Sequence, residues 1–243
     1  ENINYHVSMG ATAEAVAEKF NITRQMADEF AVNSHAKAAR AIDSKKFEDE
    51  IVPVKVDEVF FKDGKKISST HTVSVDEGIR RDTTIEGLAR LRPAFKQKGV
   101  VTAGNASQTS DGAAFTLVVS EQIVKELNLT PIARLVSCAV GGVDPLYMGI
   151  GPCVAIPKAL NQAGLKITDI EQTELNEAFA TQALAVINEA GLDPECVNVN
   201  GGAIAMGHPI GATGAMLLGT AIDEMERRDL NTGLITLCAA GGM

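Results

Sequence analysis

Asn198–Ala215 reads NVNGGAIAMGHPIGATGA, and five glycines (Gly201, Gly202, Gly207, Gly211 and Gly214) fall within it. Glycine weakens helix and strand interiors, so this density implies tight turns or a close approach of the backbone to something else. The run lies between the apolar stretch Val197–Asn200 and a helical pattern over Ala215–Arg227. It therefore reads as the loop of a strand–loop–helix unit. Pro209 restricts the residues before it toward extended backbone. On these residues alone the loop is either a turn with an incidental histidine, His208, or a device that holds an imidazole in one orientation.

The same alternation extends N-terminally. Ala113–Val119 has the composition of a buried strand, followed by a helix over Ser120–Leu127. Ile132–Val140 reads as a strand, Pro152–Ala163 as a helix, and Ile170–Leu175 as a strand running into a helix near Asn176–Glu177. Leu234–Leu237 is the last strand. Alternating elements of this kind predict an α/β fold with helices covering a sheet. Residues 1–109 have a different texture. Two helices are expected over residues 11–47, with Thr12 and Thr23 as N-caps and Met26, Phe30, Ser34, Ala38 and Ala41 on one face of the second. Glu50–Val56 predicts a strand held at a sheet edge by Pro53. Lys62–Lys66 (KDGKK) is a charged turn, and Thr83 with Glu86 forms a capping box for a short helix closed by Pro93. A module boundary is expected near Ser110.

The chain of 243 residues, 45% hydrophobic, is long enough to bury a sizeable core. No apolar run approaches the roughly 18 residues of a membrane span, and Glu1–Gly10 lacks the pattern of a signal peptide. Residues 1–109 carry sixteen acidic and sixteen basic side chains, whereas residues 110–243 carry fifteen and six, so the whole net charge of −9 lies in the second part. A phosphate-bearing ligand is better received by the first part. No basic stripe interleaved with aromatics supports nucleic-acid binding. Cys138, Cys153, Cys196 and Cys238 show no short-range pairing, which predicts free thiols and a reducing, cytoplasmic setting.

Three features fall at strand ends, where α/β folds place their sites. They are Asn176–Glu177, His208 and Cys238, the last followed by Ala239–Ala240–Gly241–Gly242. Asn176 and Glu177 could equally cap a helix and complement its dipole. A thiol beside an imidazole serves as nucleophile or base, and backbone N–H groups left free by small residues can stabilise an oxyanion. From spacing alone, this set supports an acyl-transfer hypothesis.

NEAFA (176–180), NGGAIAMGHPIGATGA (200–215) and TLCAAGG (236–242) resemble the three C-terminal motifs of the thiolases. VTAGNASQTSDGAA (101–114) resembles their coenzyme A-binding stretch, and SMGATAE (8–14) the start of their loop domain. The resemblance covers essentially the whole chain. It implies a thiolase-like layered α-β-α-β-α fold, incomplete, with an inserted loop domain. The loop domain would occupy residues 1–109, the last strand and helix of the N-terminal half residues 110–131, and the C-terminal half residues 132–243. It also implies that His208 activates a nucleophilic cysteine and binds the thioester oxygen, that Asn176 positions a water in that oxyanion hole, and that Cys238 is the general acid/base. Ser107 would contact the pantetheine arm and Arg80 the adenine nucleotide, while Met9, Phe95, Ala103 and Phe179 would line the ligand tunnel. Coenzyme A and acyl-CoA are implied as substrates, with no tightly bound cofactor, no metal, and a homodimer or homotetramer.

Two departures qualify the resemblance. Nothing in the chain matches the family's acyl-accepting cysteine, and Cys138, Cys153 and Cys196 fit neither its position nor its motif. Ala240 stands where many relatives have glycine, yet its N–H can still donate. The chain starts at Glu1 and ends on Gly241–Gly242–Met243 just after an apolar strand, so it reads as the C-terminal two-thirds of a thiolase. Ser8 precedes Met-Gly where biosynthetic, acetoacetyl-CoA-forming thiolases usually carry histidine, which favours a 3-ketoacyl-CoA thiolase of fatty-acid β-oxidation. A non-catalytic coenzyme A-binding subunit is the alternative that the missing nucleophile raises. A β-ketoacyl synthase-like enzyme is disfavoured, because such enzymes present a second histidine or asparagine in place of the Cys238 motif.

Overall fold

The computed structural model describes residues 6–243; Glu1–Tyr5, the start of the module expected over 1–109, lie outside the described residues. Two helices open the chain, α1 (Met9–Lys19) and α2 (Arg24–Asp43). Thr23 caps α2 as expected, accepting from the Met26 N–H, but the cap of α1 is Ser8 rather than Thr12. Ser8 has the extended backbone a cap requires, whereas Thr12 lies inside the first turn and donates its hydroxyl to the Met9 carbonyl. On α2 the residues Ala27, Ala31, Ser34, Ala38 and Ala41 are buried. The packing stripe thus begins one residue later than the predicted Met26–Phe30 edge, and its alanines let other backbone approach closely.

A β-hairpin follows, β1 (Val54–Lys62) paired antiparallel with β2 (Lys65–Val73). Its turn is Asp63–Gly64, both at positive φ, the sequence a two-residue hairpin favours. Pro53 precedes β1, so the strand starts after the expected residue 50. The short helix α3 (Ile85–Ala89) is capped by Thr84, which accepts from the Gly87 N–H. Thr83, the expected cap, instead donates to the Arg80 carbonyl.

The second part contains α4 (Glu121–Glu126), α5 (Gly151–Ala163), β3 (Gln172–Leu175), α6 (Ala180–Ala190), α7 (Ala203–Met206), α8 (Thr213–Arg228) and β4 (Gly233–Thr236). β3 and β4 are parallel neighbours, with Leu175 opposite Thr236. Val197 adds one further parallel bridge to Thr173, so only one residue of the expected Val197–Asn200 strand pairs. Ile156, Leu175, Ala183, Val186, Val197 and Leu234 are buried together between α5, α6 and this sheet. A second cluster, Ala27, Ala31, Leu88, Ala180 and Ile204, joins α2 and α3 to α6 and α7.

Two expected strands are absent. Residues 113–119 and 132–140 make no backbone–backbone hydrogen bond within the described residues. Their apolar side chains face outward, Phe115 at 97% and Ile132 at 74% exposure, so the expected burial is also overturned. Composition reports a chain suited to pairing, but a strand exists only against a partner that accepts its N–H groups.

Two measurements test this packing. Gly201 lies at φ +84°, and a Cβ there would stand 2.7 Å from the Ser34 carbonyl oxygen and 2.8 Å from the Ala38 nitrogen. Gly201→Ala is expected to lower unfolding stability by at least about 2 kcal/mol, since both strain and overpacking oppose it. An unchanged urea midpoint would contradict this close approach of the loop to α2. Glu50 accepts from the Thr220 hydroxyl of α8 at 2.8 Å, and burial pushes its carboxyl up to about 7. The folded state thus holds this proton more tightly than the unfolded chain, whose carboxyl titrates near 4.5. The stabilisation is complete below pH 4.5 and is lost as pH rises through 7. Glu50→Gln should flatten the stability profile across that window, and a slope equal to that of the parent would exclude Glu50 as its source.

Candidate active site

Parallel pairing puts the ends of β3 and β4 at one edge of the sheet. The Asn176 N–H donates to the Thr236 carbonyl at 3.0 Å, carrying the ladder one residue beyond β3. Cys238 follows two residues after Thr236 and is buried. Burial pushes its thiol up to about 11, so at neutral pH it carries a proton that it can give.

Asn176 and Glu177 do not cap a helix. α6 begins only at Ala180, with Phe179 at its N-cap position and no side-chain cap. Residues 176–179 lie outside the helix, and the side chains of Asn176 and Glu177 are buried. Asn176 Nδ2 lies 3.4 Å from His208 Nε2, which joins two of the three predicted residues. Asn176 Oδ1 is buried without a hydrogen-bond partner among the described residues.

The His208 tautomer follows from its other contact. Nδ1 lies 2.7 Å from the Thr213 hydroxyl, and that hydroxyl donates to the Pro209 carbonyl at 2.9 Å. With its one hydrogen committed, Thr213 Oγ1 can only accept from Nδ1–H. Nε2 is then left with its lone pair toward Asn176 Nδ2–H. Burial holds the imidazole below its ordinary pKa of 6.5, so the ring is neutral at pH 7 and Nε2 is a base. The sequence reading missed Thr213. Its signal was present, a hydroxyl five residues past His208 at the start of a helix, but only the fold of the Pro209–Ala212 turn brings it back to the ring.

The remaining predicted residues fall into two groups. Ala106 bridges Phe179 in antiparallel fashion, and the Ser107 N–H donates to the Ala178 carbonyl at 3.0 Å, so the 101–114 stretch docks on the NEAFA segment. Phe95 meets Phe179 edge to face with ring centroids 6.2 Å apart, and it packs over Gly10 beside Met9. Ser107, Phe95 and Phe179 are thereby gathered on the segment that follows Asn176, and Met9 adjoins the Gly10 that the Phe95 ring covers. Arg80 and Ala103 are exposed, and no hydrogen bond or ring contact joins them to the Asn176–His208 pair among the described residues. The Arg80 backbone N–H donates to His35 Nδ1. Gln108 also escaped the sequence reading. Its Nε2 donates to the carbonyls of Gly78, Ile204 and Ala205, and its carbonyl accepts from the His208 N–H at 3.3 Å.

Thr213→Val keeps the shape of the side chain but removes the acceptor for Nδ1–H. In ¹⁵N-histidine spectra, His208 is expected as the Nδ1–H tautomer in the parent chain and as a mixture in the variant. The same tautomer pattern in both would refute the assigned network.

The thiolase N-terminal domain model matches residues 1–122 and the thiolase C-terminal domain model residues 129–243. The chain is 52% identical over 240 residues to the 3-ketoacyl-CoA thiolase of Bacillus subtilis (strain 168), covering 98% of this chain and 61% of that protein. It is 50% identical to the acetyl-CoA acetyltransferase of Paracoccus denitrificans, covering 99% and 59%, and 48% identical to the peroxisomal 3-ketoacyl-CoA thiolase 1 of Arabidopsis thaliana, covering 99% and 54%. The crystal structure of the Bacillus anthracis acetyl-CoA acetyltransferase superposes with a TM-score of 0.90 at 46% identity, covering 100% of this chain and 59% of that one. The chain thus spans 54–61% of the length of these curated relatives. It has the mixed α/β fold of these neighbours, and it belongs to the thiolase family.

Proposed function

We propose that the chain supplies the acid/base and oxyanion groups of a thiolase that cleaves 3-ketoacyl-CoA with coenzyme A, giving acetyl-CoA and an acyl-CoA shortened by two carbons. The observation that carries this reading is the Asn176–His208 pair, with a neutral Nε2 on one side and the 101–114 stretch, which resembles a coenzyme A-binding segment, docked beside it. His208 Nε2 accepts the proton of an acyl-accepting thiol as that thiol attacks the keto carbon. Asn176, through its free Oδ1, orients a water that donates to the developing oxyanion. As the carbon–carbon bond breaks, the Cys238 thiol protonates the acetyl-CoA carbanion. The resulting thiolate then takes the proton of incoming coenzyme A, whose sulfur attacks the acyl carbon and forms the new thioester, while the acyl-accepting sulfur leaves and recovers its proton from His208 Nε2. Coenzyme A enters as substrate, and the cycle is ping-pong.

The acyl-accepting thiol is proposed to come from a polypeptide paired with the exposed apolar segments 113–119 and 132–140. The chain's own thiols fit that role poorly. Burial pushes Cys153 up to about 11 and also raises Cys196, whereas a nucleophilic cysteine is activated in the opposite direction. Degradative use on longer 3-ketoacyl chains is favoured by Ser8, although its hydroxyl also caps α1. Biosynthetic use is the second reading, favoured by the similar identity to acetyl-CoA acetyltransferases. A reducing, cytoplasmic compartment is supported by four unpaired cysteines, and a homodimer or homotetramer is proposed on the family resemblance alone; no helix among the described residues is long and apolar enough to cross a membrane.

The 243-residue chain alone is expected to show no thiolysis of acetoacetyl-CoA, followed by loss of the substrate's enolate absorbance. Robust turnover would show that a nucleophile lies within it. In an assembly that supplies the thiol, His208→Ala and Cys238→Ala should each reduce kcat by about 10²–10⁴. Parental rates in either variant would remove that residue from the mechanism, and faster turnover of acetoacetyl-CoA than of a medium-chain 3-ketoacyl-CoA would favour the biosynthetic reading.

A further inference from the structure

Glu177 is 1% exposed and takes no part in the chemistry above, yet the loop that leads to His208 is wrapped around its carboxylate. Oε2 accepts from the Ser34 hydroxyl at 2.6 Å and from the Ile204 N–H at 3.2 Å, and Oε1 accepts from Asn198 Nδ2 at 2.9 Å. Ser34 Oγ in turn accepts from the Gly202 N–H. A Cβ on Gly202 would fall on the carboxyl group itself, so the glycine there serves this close approach. Burial raises the Glu177 carboxyl, while the three donors and the Lys37 ammonium oppose that shift. Every partner is a donor, so the accept-only ionised form is the one the surroundings satisfy.

The donors cannot rearrange freely. The Asn198 amide is locked, because its Oδ1 accepts from the Leu175 N–H and its Nδ2 also donates to the Leu175 carbonyl, both at 2.8 Å. The Ile204 N–H belongs to α7, whose Ile204 and Ala205 carbonyls are held by Gln108. α7 is therefore a one-turn strut fixed at its start by Glu177 and at its other end by Gln108, with His208 two residues past it. Asn176, the partner of His208, is the residue next to Glu177.

We propose that Glu177 is the positioning residue that holds His208 Nε2 against Asn176, through the Asn198–Ile204 backbone gathered on its carboxylate. It touches neither substrate nor reacting atoms. It gives the proposed function its geometry, but the orientation it sets is a property of this chain whether or not turnover occurs.

The test is Glu177→Gln in the ¹⁵N-histidine-labelled chain, with the His208 signals assigned by their loss in His208→Gln. Glutamine keeps the shape but sets an NH₂ group against either the locked Asn198 amide or the Ile204 N–H. The expected result is loss of the single Nδ1–H tautomer of His208 and of the nuclear Overhauser contact between its ring and the Asn176 side-chain amide. Exposed His71 on the hairpin should remain unchanged. Parental His208 signals in a folded Glu177→Gln chain, even with a lowered unfolding midpoint, would overturn the proposal and leave Glu177 a stability element only. Should Glu177→Gln not fold, Ser34→Ala decides. It withdraws one donor from the carboxylate and the acceptor from Gly202, and it should move the same signals by a smaller amount; unaltered His208 signals there would also overturn the proposal. Because no readout uses catalysis, a failed thiolysis assay and a failed positioning role are told apart.

Discussion

The parallel pairing of β3 with β4 is the constraint on which the site depends. Parallel neighbours cannot be joined by a tight turn, so the chain between them must cross over the sheet. Here that crossover runs from Asn176 to Thr232 and contains α6, the glycine-rich loop, α7 and α8. Both strands point the same way, so the residues that follow them emerge at one edge, Asn176 after one and Cys238 after the other. The histidine loop is part of the crossover itself and returns to that same edge.

What holds this edge together is a set of buried and half-buried polar groups with few alternatives. Glu177, Asn198, Ser34 and Gln108 tie the loop to α2 and to the 101–108 segment. Each is satisfied in one arrangement, and a buried polar group left unpaired is costly. These contacts hold the glycine-rich loop against α2 and against the segment that carries Glu177. The same logic extends outward: Asn105 Nδ2 donates to Asp28 Oδ1, Asp28 pairs with Arg24, and the Asn105 carbonyl accepts from the Ala180 N–H. In this way the charge-balanced first part is bound to the start of α6.

Some of this was legible in the residues. Amphipathic spacing located α2, and the helices expected over Ser120–Leu127, Pro152–Ala163 and Ala215–Arg227 are α4, α5 and α8, because helix periodicity is a local property. Strand-end placement pointed to Asn176, His208 and Cys238, since their motifs break from apolar runs into small and polar residues. The misreadings share a cause. Ala113–Val119 and Ile132–Val140 have strand composition, but nothing within the sequence specifies what a strand pairs with. Asn176 and Glu177 look like helix caps until β3 continues the ladder through Asn176 and draws both side chains inward. Thr83 and Thr84 are both plausible caps by type, and only backbone conformation selects Thr84.

By itself, then, the sequence determined the helices, the glycine-lined loop and the family to which the motifs belong, because each of these is encoded in neighbouring residues. Only the tertiary structure decided the state of the histidine. Its tautomer depends on Thr213, its partner on the β3–β4 register, and the fixity of its loop on a carboxylate 31 positions upstream. The last two rest on long-range hydrogen bonds and the first on a turn whose conformation the tertiary structure sets, and their strength comes from exclusion of water by a core that no local pattern describes.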